Sequence, residues 1–416
     1  MRKSVDIVLT NGHVIDPANG TDGYFDLAVA DGKIAALAPS LSDYERRETV
    51  DVAGAIVSPG LVDLHVHVYQ WYTPFGLNAD AVGVHSGSTT IVDQGSAGPW
   101  TFGGFLETVV KKSKTDVRSF LSVNLAGALK SGLRGDVLHG PQMVEVKEFS
   151  RIASGFPGIV CGIKCHGESG TISNWGPTVL QAARDCADQT DLPIYCHTGE
   201  LFPVFEERRP DPDTVLDFVI PFMRPGDTLA HVYSHRPDGI MGRRDKVPAN
   251  VFAAMEQGIH FDIGYGMSFS YDIARKMMAE KVYPNTISSD VHGNDGDFYD
   301  DSSLNYSLCG AMTRLLALGM PLYDVIERVT ANPAKILRET EIGSLSPGTK
   351  ADVTVLERVQ SDWIMRDGRR QELLTKEQLI PKLVLKDGEA ITPNNQLLRD
   401  LAPGLQPRKA PERLSA

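Results

Sequence analysis

Short apolar, β-branched runs recur through the middle of the chain at intervals of about thirty residues, the length of one strand-helix-strand unit. The runs at 61–67, 89–93, 120–125, 159–164, 193–197, 228–232, 260–263 and 286–290 predict eight strands. Helical spacing lies between several of them, as at 178–188 and 251–257. Alternation of this kind predicts an α/β fold of the closed (β/α)8 TIM-barrel type, with its site at the C-terminal ends of the strands. A doubly wound open sheet is the alternative, but no G-x-G-x-x-G follows the first run.

The two ends of the chain read differently. Short alternating segments broken by Asn11-Gly12, Asp22-Gly23 and Asp31-Gly32 follow hairpin grammar, because these pairs accept positive φ at a bend. A second β-rich stretch comes late, at Gly348-Thr-Lys-Ala-Asp-Val-Thr-Val-Leu356 and Leu383-Val-Leu-Lys-Asp-Gly388. The expected organisation is therefore a small composite β-sandwich from 1–56 plus 341–393, a barrel over 57–340, and a polar, Pro-containing tail of coil at 394–416.

Composition narrows the class. At 416 residues the chain exceeds one hydrophobic core, which agrees with a large unit plus a small one. No apolar run approaches the length of a membrane span, and Met1-Arg-Lys-Ser-Val-Asp6 lacks a signal-peptide core, so a soluble cytoplasmic protein is expected. Five cysteines, odd in number and without C-x-x-C spacing, read as reduced thiols. A net charge of −12 disfavours nucleic acid and anionic membrane as partners. A small-molecule substrate fits better, and homo-oligomerisation stays open.

Chemistry enters at Pro59-Gly-Leu-Val-Asp-Leu-His-Val-His67, where alternation aims His65 and His67 at one point. Four more polar residues end apolar runs in the same register: Lys164, His197, His231 and Asp290. Singly, each has a structural explanation, as a hydrogen-bonded core histidine, a snorkelling lysine or a helix cap. Together the six converge on one barrel mouth and point to a metal centre. Cys165 and Cys196 adjoin candidate ligands on a strand, so their thiols face the other way. His235 shares the parity of His231 but lies beyond the apolar run, which favours His231.

On these residues, with the closing Pro347-Gly-Thr-Lys-Ala-Asp-Val353, the chain resembles the amidohydrolase superfamily, and within it the dihydroorotase-like amidohydrolase/deacetylase group. The resemblance implies two divalent ions, zinc by preference. One would be held by His65, His67 and Asp290, the other by His197 and His231, with Lys164 bridging both as an N-carboxylated lysine formed from carbon dioxide. It implies hydrolysis of an acyl C–N or C–O bond by a metal-activated hydroxide, with Asp290 as proton shuttle.

Dihydroorotases of this type carry an Arg after the His-X-His pair; Tyr69 stands there. The implied reaction is then deacetylation of small N-acetyl-amino acids or O-acetylated 2-hydroxy acids. Cyclic-amide hydrolysis or nucleobase deamination is the alternative, and a non-catalytic scaffold relative would lack ligands. Tyr265 and His292 are the candidate substrate-binding residues. Arg134 and Arg236 are loop cations able to read a carboxylate, and Gly98-Pro-Trp-Thr-Phe-Gly-Gly104 could wall the pocket.

Overall fold

The computed structural model describes residues 4–129, 140–293 and 306–400. Arg134 and residues 401–416 of the expected tail lie outside the described residues. Seven parallel strands lie side by side in chain order: Leu61–Val66, Ser88–Gln94, Asp116–Ser122, Val160–His166, Ile194–His197, Thr228–Leu229 and His260–Phe261. The first strand is buried at every position, as expected where helices cover a parallel sheet.

The eighth predicted strand is not a regular one. Segment 286–291 instead closes the ring by two isolated parallel bridges, Asp262 with Thr286 and Val66 with Val291. Backbone bonds reinforce both seams: Tyr265 N–H donates to Ser288 O at 3.0 Å, and Asp290 N–H donates to His65 O at 2.8 Å. The result is an α/β barrel joined to a separate β-rich unit. The third strand also begins earlier than its apolar run suggests, because Asp116 and Arg118 pair with each other there, and Arg118 also reaches Glu339. Charge at those positions masks the strand.

Helices pack outside the strands. In Thr178–Thr190 the buried residues Val179, Leu180, Ala183, Cys186 and Ala187 repeat at helical spacing, so one face meets the barrel. Asp191, at φ 55°, ends that helix in the left-handed conformation. The main apolar cluster lies between strands and helices and includes Phe105, Phe149, Cys165, Cys196 and Phe261. A second cluster joins Val62, Leu64, Val92, Phe120 and Tyr195 to Ile336 and Leu337 at the C-terminal end of helix Ala331–Ile336. All five cysteines are free thiols. Among the described residues no helix is long and apolar enough to cross a membrane.

The β-rich unit is one connected mixed sheet built from both ends of the chain. Strand Ile56–Pro59 sits between Ser4–Asp16 on one side and Val353–Arg366 on the other, and it leads directly into the first barrel strand. Val8 and Leu9 point to opposite faces and feed separate apolar clusters. The start of the expected coil contains a short helix, Gln396–Asp400, whose Leu398 is buried in the main cluster. Burial of one leucine is what draws that polar stretch onto the barrel.

One buried ion pair secures the C-terminal strands. Lys386 Nζ lies 3.1 Å from both carboxylate oxygens of Asp352, with both residues buried, and 2.8 Å from Asp387 Oδ2. Lys386→Met would strand the Asp352 carboxylate and is expected to cost about 3 kcal/mol in urea unfolding. The Lys386→Met/Asp352→Asn double variant should recover part of that loss; an equal loss would show that the pair does not hold the sheet.

Candidate active site

All six predicted residues line one open cavity at the C-terminal end of the barrel strands. His65 Nε2 is 3.1 Å and His67 Nε2 3.4 Å from Asp290 Oδ1. One ligand atom from each of these three lies within 4.8 Å of the others, a spacing able to hold a metal ion. On the far side His197 Nδ1 and His231 Nε2 face each other at 2.8 Å. Lys164 rises between the two groups, its Nζ 4.8 Å from the Tyr195 ring centroid.

The second nitrogen of each ring decides what the first can do. His197 Nε2 lies 3.0 Å from Gly199 O and His231 Nδ1 2.9 Å from Gly264 O. A carbonyl oxygen only accepts, so both of those nitrogens carry the proton, and the two facing nitrogens are left with lone pairs. Two lone pairs 2.8 Å apart repel unless a cation lies against them. The same logic orients His65. Tyr195 Oη donates to Asp262 Oδ2 at 2.6 Å and accepts from His65 Nδ1 at 3.0 Å, which leaves His65 Nε2 unprotonated. His67 Nδ1 is held by Ser96 Oγ at 3.0 Å.

Electrostatics agree with a site built for cations. Burial, followed by neighbouring Lys164 and imidazoles, holds His65 well below the ordinary histidine range, and burial and His231 do the same to His197. Burial also takes His231 down to about 4 despite nearby Asp290. Neutral imidazole is the form that ligates metal. Burial likewise brings Lys164 down to about 8, against the pull of Asp290. The residue is 3% exposed, and its buried amine has no hydrogen-bond partner among the described residues, a costly state for a cation. Burial pushes the Asp290 carboxyl up, but the His67 hydrogen bond and the charge of His231 leave it below its usual value.

Local backbone explains the convergence. His231 (φ 63°) and Asp290 (φ 48°) both adopt the left-handed conformation that costs a non-glycine residue energy, and both sit at strand ends. Gly95, after the second strand, leaves room for Lys164 to lie across it; a Cβ there would be 2.7 Å from Lys164 Cγ. The Cys165 and Cys196 thiols lie in the apolar cluster outside the strands, as strand alternation requires. His235 is not on the cavity wall: its N–H donates to Ser268 O at 2.8 Å.

Other expectations divide. His292 lines the cavity, with its ring 6.0 Å from that of His67. Arg236 lines it too. Tyr265 does not, and this corrects the expectation that its hydroxyl meets substrate. It is 1% exposed, its hydroxyl donates to Arg366 O at 3.1 Å, and its ring packs against the Arg314 guanidinium. Contacts with the long C-terminal hairpin, invisible in local sequence, turn it inward. Tyr69 is buried and donates to Thr101 O at 2.9 Å. Trp100 is exposed, and its segment leads into helix Phe102–Thr108 without walling the cavity.

Sequence reading missed the supports: Ser96, Tyr195, Asp262, and the Gly199 and Gly264 carbonyls. Tyr195 carried a usable signal, since it shares the parity of His197. Asp262 carried one too, as a polar residue inside the seventh predicted run, whereas Ser96 lies in a loop and the two glycines act through backbone carbonyls.

Known proteins share both the length and the fold of this chain. No protein-family model matches the chain. It is similar to a deacetylase of Agrobacterium fabrum, 28% identical over 94% of this chain and 93% of that one. A deacetylase of Brucella anthropi is 29% identical over 91% and 90%. A dihydroorotase crystal structure superposes with a TM-score of 0.80 at 28% identity, covering 93% of this chain and 99% of that one. An adenine deaminase structure gives 0.81 at 25% identity, covering 93% and 100%. These relatives and structural neighbours support a dihydroorotase-like amidohydrolase group. It is a hydrolytic, metal-dependent enzyme acting on a small molecule. A zinc-bound N-acyl-D-glutamate deacylase from Bordetella bronchiseptica shares the fold, with a TM-score of 0.63 at 18% identity over 94% of this chain and 97% of that one.

If the Asp262–Tyr195–His65 relay sets the proton on His65, Tyr195→Phe should weaken metal binding about 10–100-fold with the fold intact. Competition with a chelator measures this. Unchanged affinity would remove the relay from the account.

Proposed function

We propose that the chain is a binuclear deacetylase, acting on small N-acetyl-amino acids or O-acetylated 2-hydroxy acids. The observation that carries this reading is the pair of lone-pair nitrogens on His197 and His231, facing each other beside an unpartnered buried lysine amine. His65, His67 and Asp290 would hold one ion and His197 and His231 the other. Lys164, carboxylated by carbon dioxide, would bridge them, which turns a stranded amine into a paired carboxylate. Zinc suits nitrogen and carboxylate donors. The catalytic unit would span 57–340, supported by a composite β domain of 1–56 plus 341–393, with 394–416 as a tail.

When bound, the ions supply Lewis acidity, which acidifies water towards neutral pH and polarises the scissile carbonyl. Asp290, ionised and next to His65 and His67, takes the proton from the attacking water and delivers it to the leaving nitrogen or oxygen. Arg236 supplies charge for a substrate carboxylate. It lines the cavity and forms no ion pair among the described residues, whereas Tyr69 at the dihydroorotase Arg position is committed to Thr101. His292 is placed to donate to a substrate oxygen. The near full-length likeness to two deacetylases supports the acyl substrate.

Turnover of a panel of N-acetyl-D- and L-amino acids and acetylated hydroxy acids, against dihydroorotate, hydantoins and adenine, tests the reading. Acetyl compounds should turn over; hydrolysis of the ring compounds alone would establish cyclic-amide or nucleobase chemistry instead. Arg236→Met should raise KM for carboxylate-bearing substrates about 100-fold with a smaller change in kcat. Lys164→Ala should lose metal and activity and regain part of both with added short-chain carboxylic acids. Full metal occupancy and turnover in that variant would contradict the bridge.

A further inference from the structure

The C-terminal hairpin, Val353–Arg366 and Glu372–Lys386, is far longer than its pairing in the β-rich sheet requires. Its far end reaches the barrel mouth. There the buried Asp367 organises the turn, its Oδ1 accepting from Arg369 N–H at 2.8 Å and Gln371 N–H at 2.9 Å. Its other oxygen leaves the hairpin altogether and accepts from Tyr271 N–H at 2.9 Å. Gly368 N–H donates to Phe269 O at 2.9 Å, and Tyr265 Oη donates to Arg366 O at 3.1 Å. Gln371 Nε2 adds a bond of 2.7 Å to Asp272. A Cβ on Gly368 would run into the Met267 carbonyl, so the turn and the loop meet backbone to backbone.

The contacts that leave the hairpin fall on the loop after the seventh barrel strand and on the first two residues of helix Tyr271–Ala279, and that loop does two jobs at the cavity. Gly264 O orients His231, while Met267 and Ser268 form part of the cavity wall. Ser268 O also accepts from His235 N–H at 2.8 Å, one residue before Arg236. The chain of contacts thus runs from the hairpin turn, through the 264–270 loop, to the loop that carries Arg236.

We propose that the Asp367–Gly368 turn is a positioning element for substrate selection: it sets the Met267–Ser268 wall and, through Ser268, the stance of Arg236. The turn touches no metal-site side chain, so its effect falls on which substrate fits and not on whether metal binds. The β-rich unit then takes part in specificity. This inference rests on the cavity being the substrate site, and not on which acyl compound occupies it.

The test uses Gly368→Ala and Asp367→Asn in the full chain. Both should keep wild-type metal content. The ratio of kcat/KM between acetyl and butyryl forms of one substrate should shift about fivefold or more, with KM rising more than kcat falls. Amide hydrogen exchange should quicken at 267–270 and 234–236 and stay unchanged at 264, 61–66 and 160–166. An unchanged ratio with both substrates slowed alike, or unchanged exchange in the loop, would overturn the proposal. So would failure of both variants to fold, because the turn would then be a folding element. If the wild type turns over only ring compounds, the deacetylase reading fails, and the ratio is read between two ring sizes instead.

Discussion

A neutral imidazole whose one nitrogen donates to a carbonyl presents a bare lone pair at the other, and a buried lone pair needs a hydrogen-bond donor or a cation in front of it. At this barrel mouth that constraint acts on His197 and His231 at once, through Gly199 O and Gly264 O, and on His65 through Tyr195 and Asp262. Burial removes the simplest escape, protonation, since it disfavours the imidazolium. The same low-dielectric setting depresses Lys164. The chain therefore folds around a cluster whose polar groups are incompletely satisfied by protein alone, a setting suited to a divalent metal.

Holding that cluster has a backbone cost, visible at the barrel's last seam. Segment 286–291 meets its neighbours through isolated bridges and scattered backbone bonds in place of a regular ladder, and Asp290 within it is left-handed. Two buried carboxylates replace the missing ladder bonds. Asp63 accepts from Ser289 N–H at 3.0 Å, tying the last segment to the first strand. Asp262 accepts from Thr286 and Ser288 hydroxyls and from Gly264 N–H at 2.8 Å, tying it to the seventh. Side chains can aim a strand end where a regular ladder would not let it turn.

The β-rich unit closes a different loop of dependence. Its central strand Ile56–Pro59 leads straight into the strand that carries His65 and His67, while its long hairpin returns to brace the loop beside His231. Residues more than three hundred positions apart in the chain thereby share one rigid surround. Selectivity and metal binding are separable in such a layout, because the hairpin reaches the cavity wall without touching the ligand side chains.

How much of this was legible in the chain depends on the range of the interaction. Period-two alternation placed His65 and His67 on one face, and the habit of ending apolar runs with a polar residue marked Lys164, His197, His231 and Asp290, because such patterns are local and burial enforces them. The third strand was misplaced by the Asp116–Arg118 pair, whose charges look like a loop until Glu339 is brought beside them. Tyr265 was misread because its direction is set by Arg366 and Arg314, about fifty to one hundred residues away along the chain. The sequence by itself determined the barrel, the joining of both termini and the six polar residues at the strand ends. Only the tertiary structure decided which nitrogen of each ring is free, which loop residues wall the cavity and where the hairpin lands, since those follow from backbone carbonyls and distant contacts that leave no periodic trace.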